Sequence, residues 1–219
     1  MFFLPISLLF FLILIVLLPI LLIFIPIHIM GLAFQKLGLS AEMGFTYFIF
    51  SLVGSAINIP LKEETCYQEP ELSPLTRLFY GQVIIPVKKR VLAINVGGAI
   101  IPMVLAFYLL FTQAPLMQTV IATAVMIVIT KFLARPVPNV GIAMPALIPP
   151  ICSVILAWIL HHQNPAPVAY VSGVLGTLIG ADILNLKRIK HMSCGVMSIG
   201  GAGVFDGIYL VGIIAVLLA

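Results

Sequence analysis

The stretch PVAYVSGVLGTLIGADILNL, residues 167–186, is twenty residues long and carries one charged side chain, Asp182. A helix of that length spans about 30 Å, which matches the hydrocarbon core of a bilayer. The stretch therefore predicts a transmembrane helix. Its aspartate is placed where an ionised carboxylate costs several kcal/mol unless it is paired, protonated or hydrated.

The rest of the chain has the same apolar character. Of its 219 residues, 62% are apolar and only 8% are charged, too few to cover a soluble core. We therefore expect an all-α polytopic membrane protein, with residues 1–219 forming a single integral membrane domain and the lipid bilayer as its surroundings. The apolar stretches predict about seven transmembrane helices, some broken by Pro or Gly: 2–30, 45–60, 91–111, 116–129, a fifth from within 145–150 to 161, 167–186, and a seventh ending at 219. The first is expected to be an uncleaved anchor.

The basic residues predict the orientation. The net charge is +4, but the Lys and Arg side chains form short clusters between apolar spans, a pattern typical of membrane orientation and not of nucleic-acid binding. Ten of the eleven follow helices two, four and six, and Lys36 is the exception. The N-terminus is therefore expected inside and the C-terminus outside. Residues 62–90 are expected to be a cytoplasmic segment between helices two and three: a loop, a short hairpin or an interfacial segment.

The cysteines and histidines predict no cofactor or metal. Cys66, Cys152 and Cys194 have no CxxC spacing, and the four histidines form no cluster in the sequence. Asn58 and Asn95 are expected to be interhelical hydrogen bonders and not ligands.

The strongest functional candidates are the two aspartates of the chain, Asp182 and Asp206, which both lie in apolar stretches. With the predicted orientation, helix six runs toward the cytoplasm and helix seven returns from it, so both carboxylates are expected in the cytoplasmic half. Two close carboxylates share a proton and supply an acid and a base at one water molecule. Separate helix-capping or hydrogen-bonding roles are the alternative.

Glycines surround both aspartates. The pairs Gly176/Gly180 and Gly203/Gly207 have the GxxxG spacing that favours close helix packing. On a regular helix Asp182 lies about 200° from Gly180, so either helix six bends or its glycines pack away from the aspartate. The glycine-rich residues 200–203 make a poor helix start and indicate a hydrated cleft beside Asp206.

The proline-rich residues 135–150 predict a partly unwound segment. Its backbone could face a substrate, or it could be an ordinary interfacial loop before helix five. Both interpretations stay open at this point.

Two membrane aspartates on successive helices, the second in the motif Gly203-Val-Phe205-Asp206, resemble the GxGD intramembrane aspartyl proteases, which include presenilin, signal peptide peptidase and prepilin peptidase. The triplet Pro145-Ala146-Leu147 is similar to the PAL motif of presenilins. The resemblance implies that the aspartates are catalytic and that Gly203, Phe205 and the triplet contact substrate. Phe205 replaces the second glycine of the motif, Ala181 replaces a tyrosine, and the triplet precedes both aspartates.

The hypothesis that follows is an intramembrane aspartyl endopeptidase acting on a membrane-embedded peptide near the cytoplasmic side. Two alternatives remain: a proton- or cation-coupled carrier of small solutes, and a noncatalytic membrane scaffold. The helix six to seven block also resembles a prokaryotic membrane family of unknown function, so a prokaryotic cell membrane is the expected location.

Overall fold

The computed structural model describes residues 6–67, 87–137, 141–186, 196–201 and 207–219, and it is mostly helical. Each predicted helix overlaps a helix of the structure. The expectation of an all-α fold is wrong in one respect, because a small three-stranded sheet and a two-stranded hairpin accompany the helices.

The α-helices are numbered in chain order: α1 Ile6–Lys36, α2 Ala41–Ser55, α3 Ile101–Thr112, α4 Leu116–Leu133, α5 Ile148–Leu160, α6 Pro165–Thr177 and α7 Gly207–Leu218. A π-helical turn, Val96–Ile100, leads into α3. A second π turn, Leu178–Asp182, and a 3₁₀ turn, Ile183–Asn185, extend α6.

Two helical stretches in the described part of the chain are long and apolar enough to cross a membrane, judged by length and composition: Leu116–Leu133 and Pro165–Asn185. Three further apolar helices are shorter: Val96–Thr112, Ile148–Leu160 and Ile208–Leu218. Two of the seven predicted spans therefore have the length and composition of a membrane-crossing helix within the described residues.

Helix α6 is the centre of the bundle. Residues 166–178 are all buried, and the helix packs against α3, α4, α5 and α7. The outer helices turn large apolar side chains outward, such as Phe111, Phe132 and Ile159. The fold thus surrounds one buried helix with helices whose outer surfaces are apolar.

The three-stranded sheet corrects two predicted helix boundaries. Strands β1 (Asn58–Tyr67) and β2 (Val87–Asn95) pair antiparallel, and β5 (Val196–Ile199) pairs parallel with β2. Helix two therefore ends before residue 60 and helix three begins after residue 91. Pro60 lies within β1, and the register shifts between Pro60 and Lys62, as expected where a residue has no N–H for the ladder.

The predicted break before helix five is present in the described residues. Strands β3 (Arg135–Val137) and β4 (Gly141–Ala143) form a short hairpin, and residues 144–147 form a turn before α5. Pro149 and Pro150 occupy the first turn of α5, where a missing N–H leaves no helical bond unmade.

Candidate functional site

Asp182 lies where α6 changes pitch, at the end of the π turn and directly before the 3₁₀ turn. A π turn bonds residue i to i+5, so residues five apart occupy the relative position that residues four apart have in an α-helix. Thr177 and Asp182 therefore share a face. Since residues three apart eclipse in a 3₁₀ turn, Asn185 lies on that face too.

Gly176 and Gly180 face α4 and not Asp182. Thr130 Oγ1 donates a hydrogen bond to Gly176 O at 2.8 Å, and a Cβ at Gly180 would overlap Thr130 Oγ1 and the carbonyl of Ile127. The predicted close packing at this GxxxG pair is confirmed. Of the two expected resolutions, the one in which the glycines pack elsewhere is confirmed. The helix also departs from regular α geometry, in the π turn that ends at Asp182.

The side-chain amide of Asn185 donates hydrogen bonds to two backbone carbonyls at the change from π to 3₁₀ geometry. Its Nδ2 donates to Gly180 O at 3.1 Å and to Ala181 O at 2.9 Å. Its Oδ1 and the Oγ1 of Thr177 are buried and have no hydrogen-bond partner among the described residues. The face that carries Asp182 is therefore the polar face of the α6 extension, and it includes two buried oxygens without a hydrogen-bond partner in the described structure.

The Asp182 carboxylate accepts a hydrogen bond from the glycine-rich segment that precedes α7. The backbone N–H of Gly200 donates to Asp182 Oδ2 at 3.2 Å, and the aspartate is half-buried. Gly200 and Gly201 have φ of 78° and 86°, a region that side chains disfavour. A Cβ at Gly200 would also lie 2.7 Å from the Ala99 nitrogen, so this contact between backbones requires glycine.

A polar network lies beside this contact, across the three strands. Asn95 Nδ2 donates to Ser55 O at 2.7 Å and to Asn58 Oδ1 at 3.1 Å, while Asn95 Oδ1 accepts from the Gly98 N–H at 2.7 Å and caps the π turn. Asn58 Oδ1 also accepts from Ser198 Oγ at 2.6 Å. Asn95 joins the end of α2 to the π turn that leads into α3, which agrees with the expected interhelical hydrogen bonder. Asn58 lies on β1 and accepts from Asn95 on β2 and Ser198 on β5, so the expected interhelical role is wrong for Asn58.

Charged residues border the end of the α6 extension. Lys62 Nζ lies 2.7 Å from Glu64 Oε1, and Arg90 Nη1 lies 3.9 Å from Glu64 Oε2. These three side chains line a small pocket together with Leu186 and two apolar residues of the sheet, Leu92 and Met197. The pocket therefore joins the charged end of the sheet to the end of the α6 extension.

Three of the predicted site residues, Gly203, Phe205 and Asp206, lie outside the described residues, so the dyad stays a prediction. Pro145, Ala146 and Leu147 are exposed in the turn before α5. Because α5 and α6 run in opposite directions after a short connection, this turn and Asp182 lie at the same end of the bundle. In the described part of the chain, no group of three or more His, Cys, Asp or Glu side chains could hold a metal ion.

A family model described as "Protein of unknown function (DUF1614)" matches residues 52–218, which include the sheet, the polar network and α2 through α7 in whole or in part. The chain belongs to the DUF1614 family. The matched region contains both aspartates and every residue of the polar network. It does not include α1. No curated protein and no solved structure matches this DUF1614 chain. The family description carries no activity, so any function must be argued from the site.

The sequence interpretation missed Ser198 and the strand that carries it. The signal was present in Val196-Met-Ser-Ile199, a short run with two β-branched residues that ends at Gly200-Gly201. Its partner strand is about one hundred residues earlier in the chain, and no local pattern indicates such a pairing.

Proposed function

We propose that this DUF1614 protein is an integral membrane protein and an aspartyl endopeptidase of the GxGD-like type, in which Asp182 and Asp206 activate water to cleave a membrane-embedded peptide. The observation that carries the proposal is the hydrogen bond from Gly200 N–H to Asp182 Oδ2. It joins the first aspartate to the segment that contains the second.

The membrane location is supported by where apolar and polar side chains lie. Large apolar side chains are exposed on the outer helices, whereas Ser153, Thr119 and Thr130 are buried inside. Contiguous apolar surface of this extent needs a nonaqueous surrounding or a partner. A bilayer provides it, and the seven helices then form one membrane domain.

The predicted orientation is supported by the charges at the two ends of the bundle. Lys36 Nζ donates to Leu217 O at 2.9 Å, so the exceptional lysine lies with the end of α7. Lys62 and Arg90 lie instead beside Leu186, at the end of α6 near Asp182. This division agrees with a cytoplasmic Asp182 and an external α7 C-terminus.

The position of the second aspartate in the chain supports the dyad. Gly200 precedes Asp206 by six residues, and α7 begins directly after it and packs on α6. A Cβ at Gly212 of α7 would lie 2.8 Å from the ring of Tyr170 on α6, so the two helices approach closely. The described residues on both sides of Asp206 thus adjoin the helix that carries Asp182.

The reaction needs one carboxylate and one carboxylic acid. The carboxylate takes a proton from water as the water oxygen attacks the peptide carbonyl, and the acid donates its proton to the carbonyl oxygen. Collapse of the resulting tetrahedral species breaks the C–N bond, with a proton delivered to the leaving nitrogen. Gly203, Phe205 and the triplet Pro145 to Leu147 are the proposed substrate contacts.

The test is cleavage of a mixture of single-span transmembrane peptides by the purified protein in liposomes, followed by mass spectrometry. Wild type and Glu42→Gln, a carboxyl-to-amide change at an exposed position on α2, should cleave. Asp182→Asn and Asp206→Asn should not cleave while keeping the thermal transition of the wild type. Cleavage that persists in either aspartate variant, or no cleavage by wild type, would count against the proposal.

A proton- or cation-coupled carrier is the second candidate, favoured by the interrupted α6 and by the unused buried oxygens of Thr177 and Asn185. Proton or alkali-cation flux into dye-loaded liposomes that is lost in Asp182→Asn would favour it. A noncatalytic scaffold would instead show no cleavage, no flux and reduced stability in the aspartate variants.

A further inference from the structure

The backbone N–H that donates to the Asp182 carboxylate follows a strand whose own backbone pairing is weak. Strand β5 has four residues and pairs with β2 alone among the described strands, from Val91↔Val196 to Ile94↔Ile199. Gly200, which donates to Asp182, follows it directly. Backbone pairing in a short parallel edge strand is weak. It is therefore a poor means of keeping the following N–H group hydrogen-bonded to a carboxylate.

A side-chain hydrogen bond reinforces this strand from across the sheet. Ser198 pairs with Ala93 of β2, yet its Oγ donates at 2.6 Å to Oδ1 of Asn58 on β1. Asn58 pairs with Asn95 and Ser198 pairs with Ala93, so the contact runs diagonally across β2. The bond therefore ties the two outer strands together over the central one.

The acceptor of this hydrogen bond, Asn58, is held in place by a second hydrogen bond. Asn58 Oδ1 also accepts from Asn95 Nδ2, and Asn95 is completely buried and bonded to Ser55 and Gly98. The hydroxyl of Ser198 has one proton, and its other possible acceptor, Ile199 O at 3.5 Å, is a poor one. The 2.6 Å contact therefore sets the position of Ser198.

We propose that Asn58 and Ser198 are positioning residues for Asp182. They fix strand β5, and thereby hold the Gly200 N–H on Asp182 Oδ2. The catalytic consequence rests on the proposed protease function, whereas the consequence for the backbone of β5 does not.

The test compares Ser198→Ala with Ser198→Thr, which keeps the hydroxyl, and with Ser153→Ala. Ser153 is a matched control because it is a buried serine on α5 that donates to Pro150 O at 2.9 Å. Amide hydrogen exchange over residues 196–201 should be about tenfold faster in Ser198→Ala, the size expected for losing one net hydrogen bond. It should be unchanged in Ser198→Thr and Ser153→Ala.

Peptide cleavage gives the second readout. Ser198→Ala should lower kcat by about tenfold with KM unchanged, and Ser198→Thr should restore it, because the lost interaction orients a reacting group and does not bind substrate. Asn58→Ala combined with Ser198→Ala should slow cleavage no more than Asn58→Ala alone.

The two proposals fail in different ways. Wild-type exchange rates over residues 196–201 in Ser198→Ala would overturn the positioning role, whatever the activity. An absence of cleavage by wild type with accelerated exchange in Ser198→Ala would overturn the protease function and leave the positioning of β5 supported. Equal losses of kcat in Ser153→Ala and Ser198→Ala would show a general effect on packing and overturn the specific role.

Discussion

The hydroxyl oxygens of Tyr47 on α2 and Tyr170 on α6 lie 2.8 Å apart and share a hydrogen bond in the interior of the bundle. The ring of Tyr209 on α7 stacks on that of Tyr47, with ring centres 5.7 Å apart, and the ring centre of Phe34 on α1 lies 5.1 Å from that of Tyr47. Residues of four helices thus meet at one buried polar contact. It links the central helix to α2, which leads into the sheet.

Removing one of the two hydroxyls should destabilise the protein more than removing both. In Tyr47→Phe or Tyr170→Phe the remaining hydroxyl is buried without its partner, and we expect the free energy of unfolding to fall by about 1–3 kcal/mol. In the double variant neither polar group remains, and the loss should be smaller than in either single variant. Thermal unfolding in detergent, followed by fluorescence of Trp158, the single tryptophan, measures this.

Tyr108→Phe is the control for the tyrosine pair, because Tyr108 is on α3 and half-exposed. Its thermal transition should match the wild type. A double variant less stable than both single variants would contradict the explanation, since it would mean that ring packing and not hydroxyl pairing dominates.

Gly180 should not tolerate even alanine. Its Cβ would overlap Thr130 Oγ1 and the Ile127 carbonyl, and backbone on α4 has little freedom to move. We expect Gly180→Ala to lower the free energy of unfolding by about 1–3 kcal/mol through overpacking. The control is Gly31→Ala, whose Cβ would make an ordinary contact 3.4 Å from Ala41 Cβ. Equal thermal transitions for the two variants would contradict close α4–α6 packing.

Much of the helical part of the fold is predictable from the sequence, because an apolar run of bilayer length has few other stable forms. The GxxxG spacing likewise predicted a close helix contact at Gly176 and Gly180. Its partner, α4, is a matter of tertiary packing that the local spacing does not encode. The change of pitch at Leu178–Asp182 has no local sequence signal either, although the conflict between Asp182 and its glycine face indicated some departure from a regular helix.

The sheet could not be predicted by the same reasoning. Residues 91–95 are apolar enough to continue into a membrane helix, and their assignment to β2 depends on pairing with β1 and with the distant β5. Asp182 was identifiable from its cost in an apolar helix. Ser198 was not, because a serine in a short loop-like segment acquires its importance only when β5 is placed beside Asn58.

The orientation predicts which loops a membrane-impermeant maleimide reaches in intact cells. In a background with Cys66, Cys152 and Cys194 replaced by serine, Gln113→Cys and Gln163→Cys should be labelled from outside. Gln113 lies next to Gly38, near the Lys36 end of the bundle. Glu63→Cys on β1 should be labelled only after the cells are permeabilised.

Two labelling results would contradict the predicted arrangement. Labelling of Glu63→Cys in intact cells, with protection of the other two positions, would invert the orientation and place Asp182 near the outer face. Labelling of Gln113→Cys without Gln163→Cys would put the ends of α3 and α5 on different sides, contrary to the arrangement of the bundle.

Asn185 should contribute to stability through its amide group. Its Nδ2 serves the carbonyls of Gly180 and Ala181, and the side chain is 1% exposed. Asn185→Leu keeps a similar volume but leaves both buried oxygens without this donor, so we expect a loss of about 1–3 kcal/mol in the free energy of unfolding. Thermal unfolding measures the loss. Asn164→Leu is the matched control, because Asn164 is exposed and its side chain makes no cap bond at the start of α6.

Amide exchange in Asn185→Leu distinguishes a local effect on the turn that carries Asp182 from loosening of the whole bundle. If Asn185 mainly secures the turn that carries Asp182, Asn185→Leu should increase amide exchange over residues 178–186 and leave exchange in α4 unchanged, since α4 contacts the opposite, glycine-bearing face. Equal acceleration in α4 would instead mean that the whole bundle loosens. A wild-type thermal transition in Asn185→Leu would show that the two carbonyls have other donors and would contradict the role assigned to this amide.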